Sequence, residues 1–127
     1  MKVVAFNGSP RKDGNTSILI RNVLEAIEGQ GIETETVQVG GKPIRGCIAC
    51  YKCFENKDRH CAVGKDMLND CIDRMLAADG IILGSPTYFA CMSTEIKALF
   101  DRACMVSIAN VMILLRKVGA AVVAVRR

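Results

Sequence analysis

The chain has 127 residues, of which half are hydrophobic and 24% are charged, so a single globular domain is expected and a disordered chain is excluded. Lys and Arg number 17 and Asp and Glu number 13, and this whole excess lies in residues 42–65. The same segment holds four of the seven cysteines. Because the rest of the chain is neutral, the positive charge does not form the extended surface that nucleic-acid binding favours.

The sequence predicts neither a membrane span nor export. No stretch reaches the roughly 18 consecutive apolar residues that a membrane helix needs. The apolar run at residues 3–6 is too short for a signal peptide. We therefore expect a cytoplasmic protein, and in that reducing compartment clustered cysteines more often bind metal or carry redox chemistry than form disulfides.

The first half of the chain predicts a strand, a helix, a second strand and a long loop. Residues 3–6 indicate a buried strand that enters a loop at Asn7. Asn15 and Thr16 are suited to cap the helix that follows, and residues 29–31 end it with two glycines. Residues 34–39 predict a second strand. Residues 40–65 show little periodicity and indicate a loop whose length is typical of a functional segment.

The second half predicts two more helices and two more strands. Asp66 is suited to cap a helix over residues 66–76, and residues 81–83 indicate a strand. A third helix is expected to place its inner face on Ile96, Leu99, Phe100 and Ala103. Residues 118–125 indicate a strand buried on both faces, which a further helix and strand, or a partner subunit, should cover. Apolar strands that alternate with amphipathic helices predict an α/β fold with a parallel sheet covered on both sides.

A first candidate site lies between the first strand and the first helix. The backbone N–H groups at a helix N-terminus attract anions. Here the hydroxyls of Ser9 and Thr16 and the charge of Arg11 would assist them, so phosphate is the expected ligand. Five residues separate Gly8 from Gly14, which differs from a nucleotide P-loop and disfavours ATP or GTP. An ordinary turn rich in Gly and Ser is the alternative.

A second candidate site follows the strand at residues 81–83. Ligands bind open α/β sheets at the carboxyl ends of their strands. The aromatic pair Tyr88 and Phe89 lies in this position, in a chain with only six aromatic residues. The pair is suited to form a wall for a planar ring, and core packing of one of the two rings is the alternative.

The third candidate site is the motif Cys47-x2-Cys50-x2-Cys53-x7-Cys61. Three thiols at x2 spacing present their sulfurs to one compact object, which favours an iron–sulfur cluster. A zinc site that uses His60, or a disulfide relay, is the alternative. His60 has no evident carboxylate partner in the sequence, and we expect it to be an ordinary loop residue.

The other three cysteines are expected to be structural. Cys71 and Cys104 continue apolar helical faces, where a free cysteine behaves as a small buried hydrophobe. Cys91 lies beside the aromatic pair, and packing is again expected in preference to ligand contact. None of the three is therefore assigned to a site.

Together these segments resemble the flavodoxin-like NAD(P)H-dependent FMN reductase superfamily and, within it, the iron–sulfur flavoproteins of anaerobic microbes. Residues 8–16 look like the family's FMN phosphate loop, and residues 85–89 look like its flavin-ring loop. Residues 96–102 are similar to the helix after that loop. The cysteine motif is the feature that separates the iron–sulfur branch from plain FMN and quinone reductases.

The resemblance implies a flavodoxin-like, doubly wound parallel sheet over residues 1–127, lacking the family's last strand and helix. It implies noncovalent FMN, with the phosphate held by Ser9, Arg11, Asn15 and Thr16 and the ring by Pro86, Thr87, Tyr88 and Phe89. It also implies a [4Fe-4S] cluster on Cys47, Cys50, Cys53 and Cys61. The implied assembly is a homodimer or homotetramer, in which the cluster of one subunit can approach the flavin of another.

These features predict a flavin-dependent oxidoreductase that transfers electrons between FMN and an iron–sulfur cluster. Its redox partner is NAD(P)H or ferredoxin, and no residue decides between them. An FMN or quinone reductase without a cluster, whose cysteine loop is structural or binds zinc, is the alternative. A zinc-ribbon-like nucleic-acid module is disfavoured because it needs no ligand loops at strand ends. An anionic cluster would also account for the positive charge of residues 42–65.

Overall fold

A computed structural model describes residues 1–126 as a five-stranded sheet with helices on both faces. The strands are β1 (Lys2–Asn7), β2 (Glu33–Gln38), β3 (Gly80–Tyr88), β4 (Cys91–Met92) and β5 (Val118–Ala124). The helices are α1 (Asn15–Glu28), α2 (Lys52–Asn56), α3 (Leu68–Ala77) and α4 (Thr94–Ala109). Each element expected from the sequence is present, and the short elements α2 and β4 are additional.

Four of the strands are parallel and follow the spatial order β2-β1-β3-β5. This is the strand order of the flavodoxin-like doubly wound sheet. Asn7 at the end of β1 pairs with Gln38 in β2 and with Gly84 in β3. Because the strands are parallel, the segments that follow β1, β2 and β3 all leave from one edge of the sheet.

Alternate residues of β1 bury themselves in two separate cores, as a strand with both faces covered requires. Ala5 packs with Ile20 of α1 on one face. Val4 and Phe6 pack on the other face with Leu99 of α4 and with residues of α3. Of the helices described here, none is long and apolar enough to cross a membrane.

Residues 1–126 leave β5 uncovered, since Val118 is 74% exposed, Val123 is 56% exposed and β5 pairs only with β3. The further helix and strand, or the partner subunit, expected to cover this strand stays a prediction. One expectation about burial is wrong. Phe100 is 46% exposed and lies outside the inner face of α4, which is formed by residues such as Leu99 and Ala103.

Candidate functional site

All three candidate segments leave the sheet at its carboxyl edge. The N–H of Gly8 donates to the carbonyl of Gly84, at 2.8 Å, and so joins the loop after β1 to β3. The N–H groups of Val39 and Gly40 both donate to the carbonyl of Asn7, at 2.9 Å each. The loop after β1 therefore lies between two segments. The start of the cysteine-rich loop is on one side of it, and the end of β3, which leads to the aromatic pair, is on the other.

The loop after β1 leads into an uncapped helix N-terminus. The expected cap by Asn15 or Thr16 is wrong, because Gly14 has the extended backbone that the position before the first turn needs (φ −81°, ψ 176°). No side chain within residues 1–126 caps α1, and its first turn carries no acidic residue. The outward N–H groups and the positive end of the helix dipole are therefore left for an anion.

The four residues expected at a phosphate lie around this N-terminus. Ser9 is buried, and its Oγ accepts the N–H of Arg11 at 3.2 Å. Thr16 is buried in the first turn of α1, whereas Arg11 and Asn15 are exposed. An exposed cation and an exposed amide beside an uncapped helix N-terminus fit the phosphate of FMN.

Two amide side chains at the ends of β1 and β2 hold this loop in place, and they were not identified from the sequence. Asn7 donates through Nδ2 to Oε1 of Gln38 at 2.9 Å and accepts the N–H of Ser9 at 3.0 Å. Gln38 donates through Nε2 to the carbonyls of Ser9 and Gly40, at 2.6 and 2.8 Å. The available signal was that both amides end adjacent strands, where their side chains can bond to each other and to the loops that follow.

The aromatic segment forms a tight hairpin. Pro86 is buried and Thr87 is half-buried within β3. Tyr88 is 49% exposed, Phe89 is fully exposed, and neither packs in the core. The turn places Phe89 and Ala90 at φ values of +45° and +61°, and β4 returns antiparallel with Tyr88 opposite Cys91. Left-handed backbone at residues other than glycine is uncommon, and here it forms the sharp turn of the hairpin.

The four cysteines of the motif line one cavity. Cys47 and Cys50 are exposed, Cys61 is half-buried and Cys53 is buried at the start of α2. Left-handed residues in the same loop allow the chain to turn sharply around this cavity, and they are Ala49, Tyr51, Lys57 and Arg59. Four thiols around one cavity are the donor set that an iron–sulfur cluster uses.

Two further properties describe the thiols. Burial raises the pKa of Cys53, and the nearby thiols of Cys61 and Cys50 raise it further. All four are free cysteines in this structure. Within the described part of the chain, no three His, Cys, Asp or Glu side chains are grouped closely enough to hold a single metal ion.

A buried arginine of α4, which the sequence did not single out, also lines the cavity. Arg102 is 1% exposed, and its Nη1 donates to Asp66 at 2.5 Å and to the carbonyl of Arg45 at 3.1 Å. Its Nη2 donates to the carbonyl of Val63. Burial lowers the pKa of Arg102, but the hydrogen bond with Asp66 and the nearby thiol of Cys61 outweigh this effect and raise the pKa above its usual value.

Asp66 joins this arginine to the start of α3. Its Oδ1 accepts the N–H of Leu68 at 3.2 Å, but the expected cap is wrong by one residue, because Met67 and not Asp66 occupies the N-cap position of α3. Its Oδ2 accepts from Arg102 and from the N–H of Arg45. Burial raises the pKa of Asp66, but these hydrogen bonds together hold it below its usual value. The carboxylate therefore stays charged and neutralises the buried guanidinium.

The remaining expectations had mixed outcomes. His60 does have a carboxylate partner, since its Nε2 lies 2.8 Å from Oδ1 of Asp73; the expectation failed because this contact joins the loop to α3. Cys71 is fully buried as expected, and burial raises its pKa to about 12. Cys104 is only half-buried, and Cys91 is exposed because it lies on the hairpin.

Comparison with known proteins agrees with this fold. The family model of NADPH-dependent FMN reductase matches residues 1–127. The chain is similar to an iron–sulfur flavoprotein of Methanocaldococcus jannaschii, with 44% identity over 103 residues, covering 81% of this chain and 52% of the relative. It is also similar to an iron–sulfur flavoprotein of Methanosarcina thermophila, with 37% identity over 121 residues, covering 95% of this chain and 61% of the relative.

Solved structures give the same architecture. The crystal structure of RosB superposes with a TM-score of 0.72 at 18% identity, covering 100% of this chain and 53% of RosB. At that identity the likeness concerns the fold alone. The chain spans only 52% and 61% of the length of the two curated relatives above.

Proposed function

The chain belongs to the NADPH-dependent FMN reductase family, and on this basis we propose that it is an FMN-dependent electron-transfer oxidoreductase with an iron–sulfur cluster. One observation carries the proposal: an uncapped helix N-terminus, an exposed aromatic hairpin and a four-cysteine cavity are built from loops of a single sheet edge. The names of the two iron–sulfur flavoproteins, which share 44% and 37% identity with the chain, support the cluster.

In this proposal the chain holds FMN at two places. The phosphate would lie at the first turn of α1, where the N–H groups and Arg11 attract negative charge. The hairpin would offer Tyr88 and Phe89 as apolar surface for the ring, with its backbone N–H groups close by. The residues proposed to contact FMN are Ser9, Arg11, Asn15, Thr16, Pro86, Thr87, Tyr88 and Phe89.

The proposed cluster ligands are Cys47, Cys50, Cys53 and Cys61, and the proposed cluster is of the [4Fe-4S] type. Thiolates, not thiols, bind metal, so each cysteine must lose its proton when the cluster binds. This cost is raised at Cys53, whose pKa burial has already lifted. Arg102 lines the same cavity; Asp66 neutralises its net charge, so Arg102 would support the thiolates through its Nε–H donor, which is unpartnered within the described residues.

When bound, FMN would exchange two electrons as a hydride or one at a time, and the cluster would pass single electrons. The chain would contribute binding, orientation and charge, with no side chain assigned to proton transfer. We propose NAD(P)H or ferredoxin as the redox partner and a homodimer or homotetramer as the assembly. We propose the cytoplasm as the compartment of this protein, because a reducing compartment keeps clustered cysteines available as metal ligands.

The proposal is tested by flavin, iron and sulfide analysis of protein purified without oxygen, together with the variant Cys50→Ala. Cys50 is exposed, so the substitution leaves no hole in the core. We expect the wild-type protein to contain FMN and iron, and Cys50→Ala to lose iron and keep FMN. Cys91→Ala is the matched control, since Cys91 is also exposed but lies on the hairpin outside the cavity, and it should keep its iron.

The results distinguish FMN binding from cluster binding, the two parts of the proposal. Protein that contains FMN but no iron would identify an FMN or quinone reductase whose cysteine loop is structural or holds zinc. Iron that persists in Cys50→Ala would contradict the assignment of the ligands. Protein that binds no flavin would contradict the assigned function altogether.

A further inference from the structure

Arg102 ties together the two ends of the cysteine-rich loop. The carbonyl of Arg45, two residues before Cys47, accepts from Nη1 of Arg102. The carbonyl of Val63, two residues after Cys61, accepts from Nη2. One buried guanidinium on α4 therefore holds together the two ends of the segment that carries all four cysteines of the motif. A lysine has no fork of fixed donors and could not replace these paired contacts.

The third donor of Arg102, its Nε–H, is buried and unpartnered within residues 1–126. A buried donor without a partner destabilises the folded chain, so such groups are rare unless a ligand completes them. Arg102 lines the cysteine cavity, and Cys61 is close enough to stabilise the charge of the arginine.

We propose that Arg102 is a positioning residue for the cluster. Its Nε–H donates to the sulfur of Cys61, and this contact sets the reduction potential of the cluster. This inference rests on the cluster in the proposed function. Reduction adds negative charge to the cluster. Because Asp66 neutralises the net charge of the guanidinium, it is the Nε–H donated to the sulfur that stabilises the reduced form. Arg102 therefore raises the midpoint potential, and it also keeps the ends of the loop at the spacing that the four thiolates need.

The experiment compares wild type, Arg102→Gln and Arg102→Lys, each reconstituted or purified without oxygen. Iron and sulfide per chain, resistance of the iron to a chelator, and the midpoint potential from an EPR-monitored titration are measured. Loss of a residue that supports metal ligands costs about 10- to 100-fold in metal affinity, so the chelator concentration that removes half the iron should fall by about that factor in Arg102→Gln. Its midpoint potential should be lower than that of wild type.

Arg102→Lys keeps the charge but loses the fork and Nε. Its iron should be retained better than in Arg102→Gln, and its midpoint potential should lie between those of wild type and Arg102→Gln. If Arg102→Gln does not fold, as circular dichroism would reveal, Arg102→Lys decides, since loss of the fork alone must still lower the potential and the resistance to chelator. The control is Arg59→Gln, which removes an exposed cation between Cys53 and Cys61 and should behave as wild type.

Folded Arg102 variants with wild-type iron retention and wild-type potential would overturn the inference and leave the proposed function intact. A potential that shifts equally in Arg59→Gln would overturn it as well, because general loop charge would then explain the effect. Wild-type protein with flavin but no iron would overturn both this inference and the cluster in the proposed function.

Discussion

Replacement of Gly40 by alanine should displace the loop proposed to hold the FMN phosphate. Gly40 crosses the backbone of that loop so closely that a Cβ would lie 2.3 Å from the carbonyl carbon of Ser9 and 2.5 Å from that of Gly8. Carbon atoms in contact normally lie about 3.5–4.0 Å apart. Because the contacting atoms are backbone, no rotamer change relieves the overlap, and the two segments must separate by about 1 Å.

This displacement should lower both stability and FMN affinity. Overpacking of this kind costs about 1–3 kcal/mol, which for a chain of this size lowers Tm by about 4–15 °C. The shift also moves Ser9 relative to the N-terminus of α1. Loss of one hydrogen bond to a charged phosphate costs about 1.5–3 kcal/mol, so we expect Kd for FMN to rise about 10- to 100-fold.

Thermal unfolding of the apoprotein and a flavin-fluorescence titration measure the two effects. Gly119→Ala is the matched control, since a Cβ there meets no atom within 4 Å among the described residues, and it should leave both values unchanged. Wild-type Tm and Kd in Gly40→Ala would refute the close backbone contact. A lower Tm with unchanged Kd would refute the placement of the phosphate at this loop.

Two more predictions follow from titratable groups. The folded-state pKa of Asp66 lies below its usual 3.8, so its stabilising charge is present above about pH 4 and is lost as pH falls through the folded value. Asp66→Asn should lower the free energy of unfolding by about 3 kcal/mol at neutral pH, and this free energy should then fall less steeply in acid than it does in wild type. Urea unfolding that gives the same pH dependence for wild type and Asp66→Asn would contradict this. Cys71, with a pKa of about 12, should carry roughly one thiolate in ten thousand at pH 8, so alkylation followed by mass spectrometry should label exposed Cys91 and spare Cys71 until the protein unfolds. Labelling of both at one rate would show that Cys71 is not held in the core.

The periodicity of apolar residues was sufficient to predict the main elements and the parallel sheet, because burial on both faces leaves a direct trace in the sequence. β1 and β3 each contain a continuous apolar run, at residues 3–6 and 81–83, and the inner residues of α3 recur at helical spacing. β5 shows the same apolar run, yet it is exposed, since periodicity reports what a strand can bury and not what lies beside it. α2 and β4 were missed because five and two residues are too few to show a period.

The candidate site was predictable where its residues are consecutive and was not where they come from distant segments. The cysteine motif and the aromatic pair each lie within one loop, so their spacing is visible directly. The contacts of Asn7 with Gln38 and of His60 with Asp73 depend on strand register and on the packing of α3. Arg102 lies 41 positions after Cys61 and looks in sequence like one cation on a helix with charged neighbours.

The charge of residues 42–65 therefore has less influence on the cysteine cavity than the sequence suggested. All six of its basic side chains are exposed, and they are Lys42, Arg45, Lys52, Lys57, Arg59 and Lys65. Water and salt screen exposed charges over about 10 Å, whereas a buried charge acts through a medium of low dielectric. Arg102 is the only buried basic side chain among residues 1–126, and it lies on the cavity itself. The exposed cations are therefore better placed to attract the proposed redox partner, and Arg102 to act on the proposed cluster. Added salt should weaken the attraction of the partner and leave the effect of Arg102 on the cluster largely unchanged.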